Sequence, residues 1–326
     1  MARILDKVKG HEQVIATLEQ SVLSERFPST LIYSGPSGIG KKLVALGFIQ
    51  ALACEMRTVV SAKACGACGA CLRIETQQSE ALHVVEPSGT QIKIEQAHEV
   101  LRFLNLQKLG RARAVIIDQA HLLNPQASNA LLKSIEEPAP GNYFFLITAN
   151  PSALLPTIRS RSQVFRFAAL LGSDLKKIGK FDDWVIRSSQ GSVEVARQLS
   201  DDNGESAGQR IEALRVFSQA LSGTASVSEL KELISDKLSA LFLVRCWMTA
   251  LRDFSFARAG HSEQIINSDQ PELIEWGARF EPSHISELAQ ALLQIERDIH
   301  GQIDRQLSFE NFWYLLKRQA ASTVRV

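Results

Sequence analysis

The segment from Gly35 to Lys42 reads GPSGIGKK and follows the phosphate-binding loop pattern G-x-x-x-x-G-K-[ST] at every position but the last. Such a loop joins a buried strand to a helix, and its backbone N–H groups and lysine hold nucleotide phosphates. Residues 30–34 have the apolar character of that strand, and residues 42–54 carry apolar side chains at helical spacing. The pattern therefore predicts a strand, a glycine-rich turn and a helix. Its candidate nucleotide-binding residues are Gly35, Gly38, Gly40 and Lys41.

Two positions lack groups that ATP hydrolysis uses. Lys42 stands where the pattern has a hydroxyl that ligates Mg²⁺, and an ammonium cannot bind a cation. A second apolar strand ends at Asp118, a candidate magnesium-supporting residue, but Gln119 follows where many such ATPases have a second acid. An amide can hydrogen-bond a water molecule but cannot take its proton. We therefore predict a loop with the shape of an ATP site and no turnover, while binding of ATP and Mg²⁺ stays open.

Four of the five cysteines are clustered after the predicted loop helix: Cys54, Cys65, Cys68 and Cys71. Four thiolates with Cys-x-x-Cys spacing match a closed, tetrahedral Zn²⁺ site that leaves no open position for catalysis. An iron–sulfur cluster and free thiols are the alternatives, although the Cys-Pro pair that typically ends such cluster motifs is absent. The fifth, Cys246, lies in an apolar stretch and is expected in the core.

The order of strand and helix patterns predicts three parts. Residues 1–167 alternate strands and helices, which indicates an α/β domain with a parallel sheet and the cysteine module at 54–71. Residues 168–205 are expected to form a small helical lid, and residues 206–326 an all-α bundle, with a polar linker at 200–208. The expected strands are Leu31–Ser34, Ala81–Glu86, Ala114–Asp118, Tyr143–Thr148 and Val164–Phe167.

Charge and hydropathy give few further constraints. The net charge of +1 argues neither for nor against nucleic acid. Lys108, Arg111 and Arg113 form a local basic cluster, but isolated cations near strand ends are usually solvated. The sequence shows no signal peptide and no apolar run of membrane-spanning length, so we expect a cytoplasmic protein with no membrane partner.

Several motifs together resemble the bacterial clamp-loader subunits of DNA polymerase III, which belong to the AAA+ class. Residues 129–138 read NALLKSIEEP, and residues 157–162 read TIRSRS, which is similar to the Ser-Arg-Cys motif of that family. The Gly-His-Glu run at 10–12 and the four-cysteine insertion agree with it. The motifs cover residues 10–167, while the remainder agrees in length and helical class.

The resemblance implies a hetero-oligomeric ring that loads a sliding clamp onto primed DNA. The family contains ATP-hydrolysing motor subunits and a rigid, delta-prime-type stator, and Lys42 and Gln119 favour the stator. Glu194 agrees, because motor subunits have an arginine at the similar lid position. The implied role of Arg161 is an arginine finger that projects into a neighbour's ATP site. Thr148 and Asn150 lie where the family senses its own nucleotide, and we expect them to make strand-end hydrogen bonds here.

Partners and rival functions follow from the same resemblance. The partners would be motor and delta subunits, the sliding clamp, and primer–template DNA through the assembled complex. An active motor ATPase of the same family is the alternative function. A zinc-dependent nucleic-acid-binding module outside a clamp loader is a third reading, and it leaves the phosphate loop and Arg161 unexplained.

Overall fold

The computed structural model describes residues 3–58, 60–107, 110–200, 205–224, 226–301 and 304–324. It divides into two compact units. The sheet unit comprises Met1–Lys180 and Ser189–Val195, and the helical unit comprises Phe181–Ser188 and Ala196–Val326.

A five-stranded, fully parallel sheet forms the centre of the sheet unit, in the order β2-β3-β4-β1-β5. Every residue of β1 and β3 is buried, which explains why these strands read as apolar runs without alternation. All five predicted strands are confirmed, with ends that move by at most one residue. Their bounds are Thr30–Ser34 (β1), Leu82–Val85 (β2), Arg113–Ile117 (β3), Asn142–Thr148 (β4) and Gln163–Arg166 (β5).

Helices connect these strands and cover both faces of the sheet. The helix after β3 shows how the sequence sets an end: the Asn124 side chain accepts a hydrogen bond of 2.7 Å from the Ala127 N–H, and Pro125 occupies the first turn. The helices of the sheet unit are Ile4–Lys7 (α1), Glu12–Leu23 (α2), Lys41–Ala53 (α3), Gly69–Glu75 (α4), Ile94–Asn105 (α5), Pro125–Glu136 (α6), Pro156–Ser160 (α7) and Gly172–Ile178 (α8).

The helical unit is built on aromatic packing. Trp247 and Phe312 stack with ring centroids 5.3 Å apart, and the Trp247 indole donates a 2.9 Å hydrogen bond to the Ala213 carbonyl. Cys246 is buried beside them, so the expectation that it belongs to the core is confirmed. Its helices are Asp183–Ser188 (α9), Val193–Gln198 (α10, which begins in the sheet unit), Glu205–Ser222 (α11), Ser228–Leu233 (α12), Lys237–Arg258 (α13), Pro271–Arg279 (α14), Pro282–His300 (α15) and Arg305–Val324 (α16).

The polar linker predicted at residues 200–208 is wrong at its C-terminal end. Helix α11 begins at Glu205 and continues through Gly208, while residues 201–204 lie outside the described ranges. A glycine in a helix costs only about 1 kcal/mol, and the packing of α11 against α13 and α16 outweighs that preference. None of the helices in the described part of the chain combines the length and apolarity that crossing a bilayer requires.

Candidate functional site

The carboxyl edge of the sheet brings together the predicted nucleotide-site residues. The phosphate-binding loop, residues 35–40, follows β1, and Asp118 follows β3, while Thr148 ends β4. Because β4 lies between β1 and β3, the three strand ends meet at one place. Polar groups outside the carboxyl ends of parallel strands form the usual ligand crevice of α/β folds.

Lys41, the lysine of the loop, is turned onto the loop itself. Its ammonium donates a 2.8 Å hydrogen bond to the Gly35 carbonyl and a second, shorter one to the Pro36 carbonyl. The residue is only 5% exposed. Burial lowers the pKa of Lys41 to about 8, and the nearby Asp118 carboxylate partly opposes that shift. The group that would contact the outer phosphates therefore satisfies backbone carbonyls of its own loop.

The Lys42 side chain lies beside two carboxylates at this edge of the sheet. Its ammonium lies 3.8 Å from an Asp118 carboxylate oxygen and makes a close ion pair with Glu86, which directly follows β2. Sequence reasoning singled out Lys42 and Asp118 but missed Glu86. Only the pairing of β2 with β3 brings that residue to the same edge.

Magnesium does not fit these residues. The ion prefers six oxygen ligands in near-ideal octahedral geometry, and a phosphate-binding loop supplies one of them from a hydroxyl. Here that hydroxyl is absent, and the replacing ammonium shares the Asp118 carboxylate. A bound cation beside the Lys42 ammonium would also meet like charge at short range.

The polar residues that follow β3 and end β4 make local hydrogen bonds. Gln119 is exposed in a left-handed conformation, and its backbone N–H donates to the Asp118 carboxylate. The Thr148 hydroxyl shares a 3.2 Å hydrogen bond with His121 and accepts one of 3.0 Å from the Asn150 N–H. The strand-end hydrogen bonds expected for Thr148 and Asn150 are therefore present.

A segment from beyond the sheet packs on the phosphate-binding loop. The backbone N–H groups of Val193 and Glu194 lie 2.9 and 3.3 Å from the Gly38 carbonyl, which accepts both. A Cβ atom on Gly38 would stand 2.7 Å from the Glu194 Cβ, so only glycine permits this approach. The start of α10 therefore covers the loop and brings a carboxylate to it. A carboxylate at this place would repel a phosphate bound to the loop.

His11 is a loop contact that sequence reasoning did not identify. Its Nε2 donates a 2.9 Å hydrogen bond to the Ile39 carbonyl, and its ring packs edge-on against Phe167. The Gly-His-Glu run at 10–12 pointed to the region through the family resemblance alone. Its contact with the loop depends on how α2 packs, which no local pattern encodes.

Arg161 is exposed at the end of α7, away from the phosphate-binding loop of its own chain. Its Nε lies 3.0 Å from a Glu136 carboxylate oxygen, and its terminal nitrogen donates at 3.3 Å to the Thr157 carbonyl. The side chain keeps 44% of its surface accessible. Glu136 belongs to the NALLKSIEEP motif, so the two sequence motifs meet in the folded chain through this ion pair.

The four clustered cysteines converge on one point. Their sulfur atoms all lie within 4.8 Å of one another, and the Cys65 and Cys71 sulfurs are 3.8 Å apart. A tetrahedron with Zn–S bonds of about 2.3 Å has sulfur–sulfur edges of about 3.8 Å, so the cluster could hold zinc. The N–H groups of Ala67 and Cys68 donate to the Cys65 sulfur at 3.3 and 3.2 Å. The spacing of Cys54, Cys65, Cys68 and Cys71 therefore predicted a real four-sulfur cluster.

The thiols in this cluster differ in acidity. The two backbone N–H donors lower the pKa of Cys65 to about 6, because they stabilise the thiolate. Burial raises the pKa values of Cys54 and Cys71, since a buried thiolate loses its hydration. One ligand is thus ready as a thiolate near neutral pH, and two must lose a proton when metal binds.

The basic cluster is largely structural. Arg113 is 3% exposed, and its guanidinium donates to the carbonyls of Leu104, Leu106 and Gln107, where α5 ends. The expectation that Arg113 is a solvated cation is therefore wrong, because its donors satisfy the terminal carbonyls of a helix. Arg111 is exposed, and Lys108 lies outside the described residues.

Comparison with known proteins gives a consistent result. Residues 10–170 match the family model described as DNA polymerase III, delta subunit, and residues 205–317 match the one for the C-terminal part of that subunit. The chain is 31% identical over 222 residues to the DNA polymerase III subunit delta′ of Pseudomonas aeruginosa, covering 67% of this chain and 64% of that protein. It is 28% identical over 246 residues to the DNA polymerase III subunit tau of Bacillus subtilis, covering 73% and 42%.

Among solved structures, a DNA polymerase III gamma-subunit-related protein from Thermotoga maritima aligns with a TM-score of 0.49 and 18% identity, covering 94% of this chain and 99% of that one. The chain spans less than two thirds of the length of the two curated relatives described above.

Proposed function

Because this chain belongs to the DNA polymerase III delta-subunit family of clamp-loader proteins, we propose that it is a delta-prime-type stator. In this proposal it joins motor and delta subunits in a cytoplasmic ring of the DNA polymerase III holoenzyme. The ring opens a sliding clamp and places it on primer–template DNA. The stator hydrolyses no ATP itself and supplies an arginine to its neighbour.

One observation carries the proposal: the Lys42 ammonium lies 3.8 Å from the Asp118 carboxylate and pairs with Glu86. A motor subunit needs that carboxylate for magnesium. The hydrogen bond from Lys41 to the Gly35 carbonyl adds support, as does the packing of residues 193–194 on Gly38. In our proposal Gly35, Gly38, Gly40, Lys41 and Asp118 are the residues of a degenerate nucleotide site.

Arg161 is the residue that we propose acts in catalysis, in the ATP site of a neighbouring subunit. Its guanidinium is permanently charged and presents donors in a fork that matches phosphate oxygens. The Arg161 side chain is exposed and forms an ion pair with Glu136. Both features support this role, because the ion pair orients the arginine without burying it. The replacement of the family cysteine by Ser162 leaves that group unchanged.

The cysteine cluster has a structural role in this proposal. Zn²⁺ held by Cys54, Cys65, Cys68 and Cys71 would tie the end of α3 to α4, and it would supply folding free energy with no catalytic step. We also propose the division into an AAA+ domain (1–167), a lid (168–205) and a collar (206–326).

Steady-state ATP hydrolysis by the purified chain tests the stator directly. With Mg²⁺ and primed DNA present, we expect no turnover above that of a Lys41→Ala control. Turnover that Lys41→Ala abolishes would contradict the proposal and make the chain an active motor subunit of the same family.

A further inference from the structure

A polar cavity lies at the amino edge of the sheet, opposite the edge with the phosphate-binding loop. Its volume is about 270 Å³. Arg111 and Tyr143 reach it from the amino ends of β3 and β4, and Arg57 and Thr58 reach it from the start of the cysteine module. Leu52 and Glu25 complete the lining.

Two guanidinium groups and one carboxylate, that of Glu25, line this cavity. In the part of the chain that the structure describes, neither Arg57 nor Arg111 forms an ion pair. The Nε atom of Arg57 is buried and has no hydrogen-bond partner among the described residues. A buried donor on a charged group costs free energy when it is left unpaired, so its presence points to a group that the cavity receives.

Arg111 is fixed in place while most of its donors stay free. One terminal nitrogen donates to the Arg57 carbonyl at 3.1 Å and to the Cys54 carbonyl at 3.4 Å. These contacts hold the guanidinium plane against the cysteine module. Its Nε and second terminal nitrogen have no partner among the described residues, so they remain available to a ligand.

Neutral donors complete the set. The hydroxyls of Tyr143 and Thr58 have no hydrogen-bond partner within the described ranges. The Tyr143 ring is held edge-on against Phe27, with centroids 5.7 Å apart, so its hydroxyl is directed by packing. Two guanidinium forks and two hydroxyls offer more donors than a planar carboxylate can accept, and they suit a tetrahedral oxyanion with several acceptor atoms.

From this arrangement we propose that the cavity formed by Arg57, Thr58, Arg111 and Tyr143 is a phosphate-binding site, separate from the degenerate nucleotide loop. The ligand is a phosphate group, either free in solution or on a nucleic-acid backbone. Because Arg111 also holds the Cys54 carbonyl, the bound phosphate would brace the cysteine module against β3. The inference does not depend on the proposed stator role.

Calorimetric titration of the full chain with inorganic phosphate tests the site. We expect saturable binding that Arg57→Gln weakens about tenfold or more, since charge-assisted hydrogen bonds are lost. Tyr143→Phe removes the hydroxyl and keeps the ring on Phe27, so it should weaken binding less. Arg159→Gln is the matched control, because Arg159 is exposed and does not line the cavity, and it should bind like the wild type.

A second arm identifies the source of the phosphate. A short single-stranded oligonucleotide without terminal phosphates that competes with inorganic phosphate, in an Arg57-dependent way, would assign the site to a nucleic-acid backbone. Failure to compete would assign it to free phosphate. Absence of saturable phosphate binding, or equal binding by Arg57→Gln and the wild type when both retain their metal content and thermal midpoint, would overturn the proposal.

Discussion

The Lys42 ammonium lies 3.8 Å from the Asp118 carboxylate, so two residues of opposite charge meet where a phosphate-binding loop and a strand-end acid would otherwise share a magnesium ion. Glu86 makes the closer contact with the same ammonium. The positive charge is thus supplied by the chain itself. This relationship explains how the loop can keep its shape while it lacks a group needed for turnover.

Replacing Lys42 by threonine should restore magnesium-dependent nucleotide binding. The change removes the ammonium from Asp118 and provides the missing hydroxyl ligand. We expect ATP affinity in Mg²⁺ to exceed that in EDTA by about tenfold or more, judged by the usual effect of one metal-site group. Titration with a fluorescent ATP analogue measures it. Lys42→Gln, which removes the charge without supplying a hydroxyl, is the control and should not gain this dependence.

If Lys42→Thr shows no magnesium-dependent binding, the account of Lys42 is contradicted, and the packing of residues 193–194 on Gly38 becomes the better explanation for a closed loop. Turnover should stay absent in either case, because Gln119 cannot accept the proton of water.

Lys41 should make stability rise with pH in the alkaline range. Its pKa is about 8 in the folded chain against an ordinary value of 10.5, so the unfolded chain binds more protons between those values. Stability therefore increases with pH across that window and is lowest, as far as Lys41 contributes, below it. Urea unfolding at several pH values should show that the free energy of unfolding of the wild type rises with pH relative to that of Lys41→Met. Lys180→Met, at an exposed position, should show no such gain, and parallel curves for wild type and Lys41→Met would refute the assignment.

Zinc binding by the metal-free chain should release protons near pH 7. Burial raises the pKa values of Cys54 and Cys71, so both thiols are protonated there, whereas Cys65, with a pKa of about 6, is mostly a thiolate. We expect about two or more protons released per zinc, and affinity that rises with pH. Calorimetry in buffers of different ionisation enthalpy counts these protons. Cys246→Ser should match the wild type, and release of less than one proton would argue against a four-thiolate site.

Asp253 should be one of the costliest polar positions in the helical unit. It is completely buried and accepts hydrogen bonds from the Ile266 N–H, the Asn267 N–H and the Asn267 side chain at 2.8–2.9 Å. Asp253→Ala leaves these donors buried and unpaired, so we expect a loss of about 3 kcal/mol in the free energy of unfolding. The exposed Glu275→Ala should change it by about 0.5 kcal/mol or less. Equal effects of the two changes would show that solvent reaches Asp253.

Local patterns predicted much of this fold. The five strands, the phosphate-binding loop and the four-sulfur cluster all follow from residue type and spacing over short distances. Local sequence patterns predict such features because each depends on residues that are close together in the chain. The start of α11 at Glu205 was harder to predict. Tertiary packing of this helix outweighs the preference of a polar, glycine-containing segment for a loop.

Long-range contacts account for what the sequence could not provide. Glu86 reaches Lys42 only through strand pairing, and His11 reaches Ile39 only through the packing of α2. Arg113 had the same local signal as a solvated cation, but its guanidinium satisfies three carbonyls at the end of α5. Charge alone does not reveal whether a side chain meets water, a ligand or the backbone.

ATP hydrolysis by the reconstituted clamp-loader complex, with Arg161→Ala in place of the wild-type chain, tests the central claim most directly. Arginine fingers raise the rate of ATP hydrolysis about 10³-fold or more at the site that they serve. We therefore expect hydrolysis at that site to be lost while the complex still assembles. Arg159→Ala, at an exposed position two residues before Arg161, should leave turnover unchanged. Wild-type turnover and clamp loading by the Arg161→Ala complex would contradict the role of this chain as a stator that supplies catalysis to its neighbour.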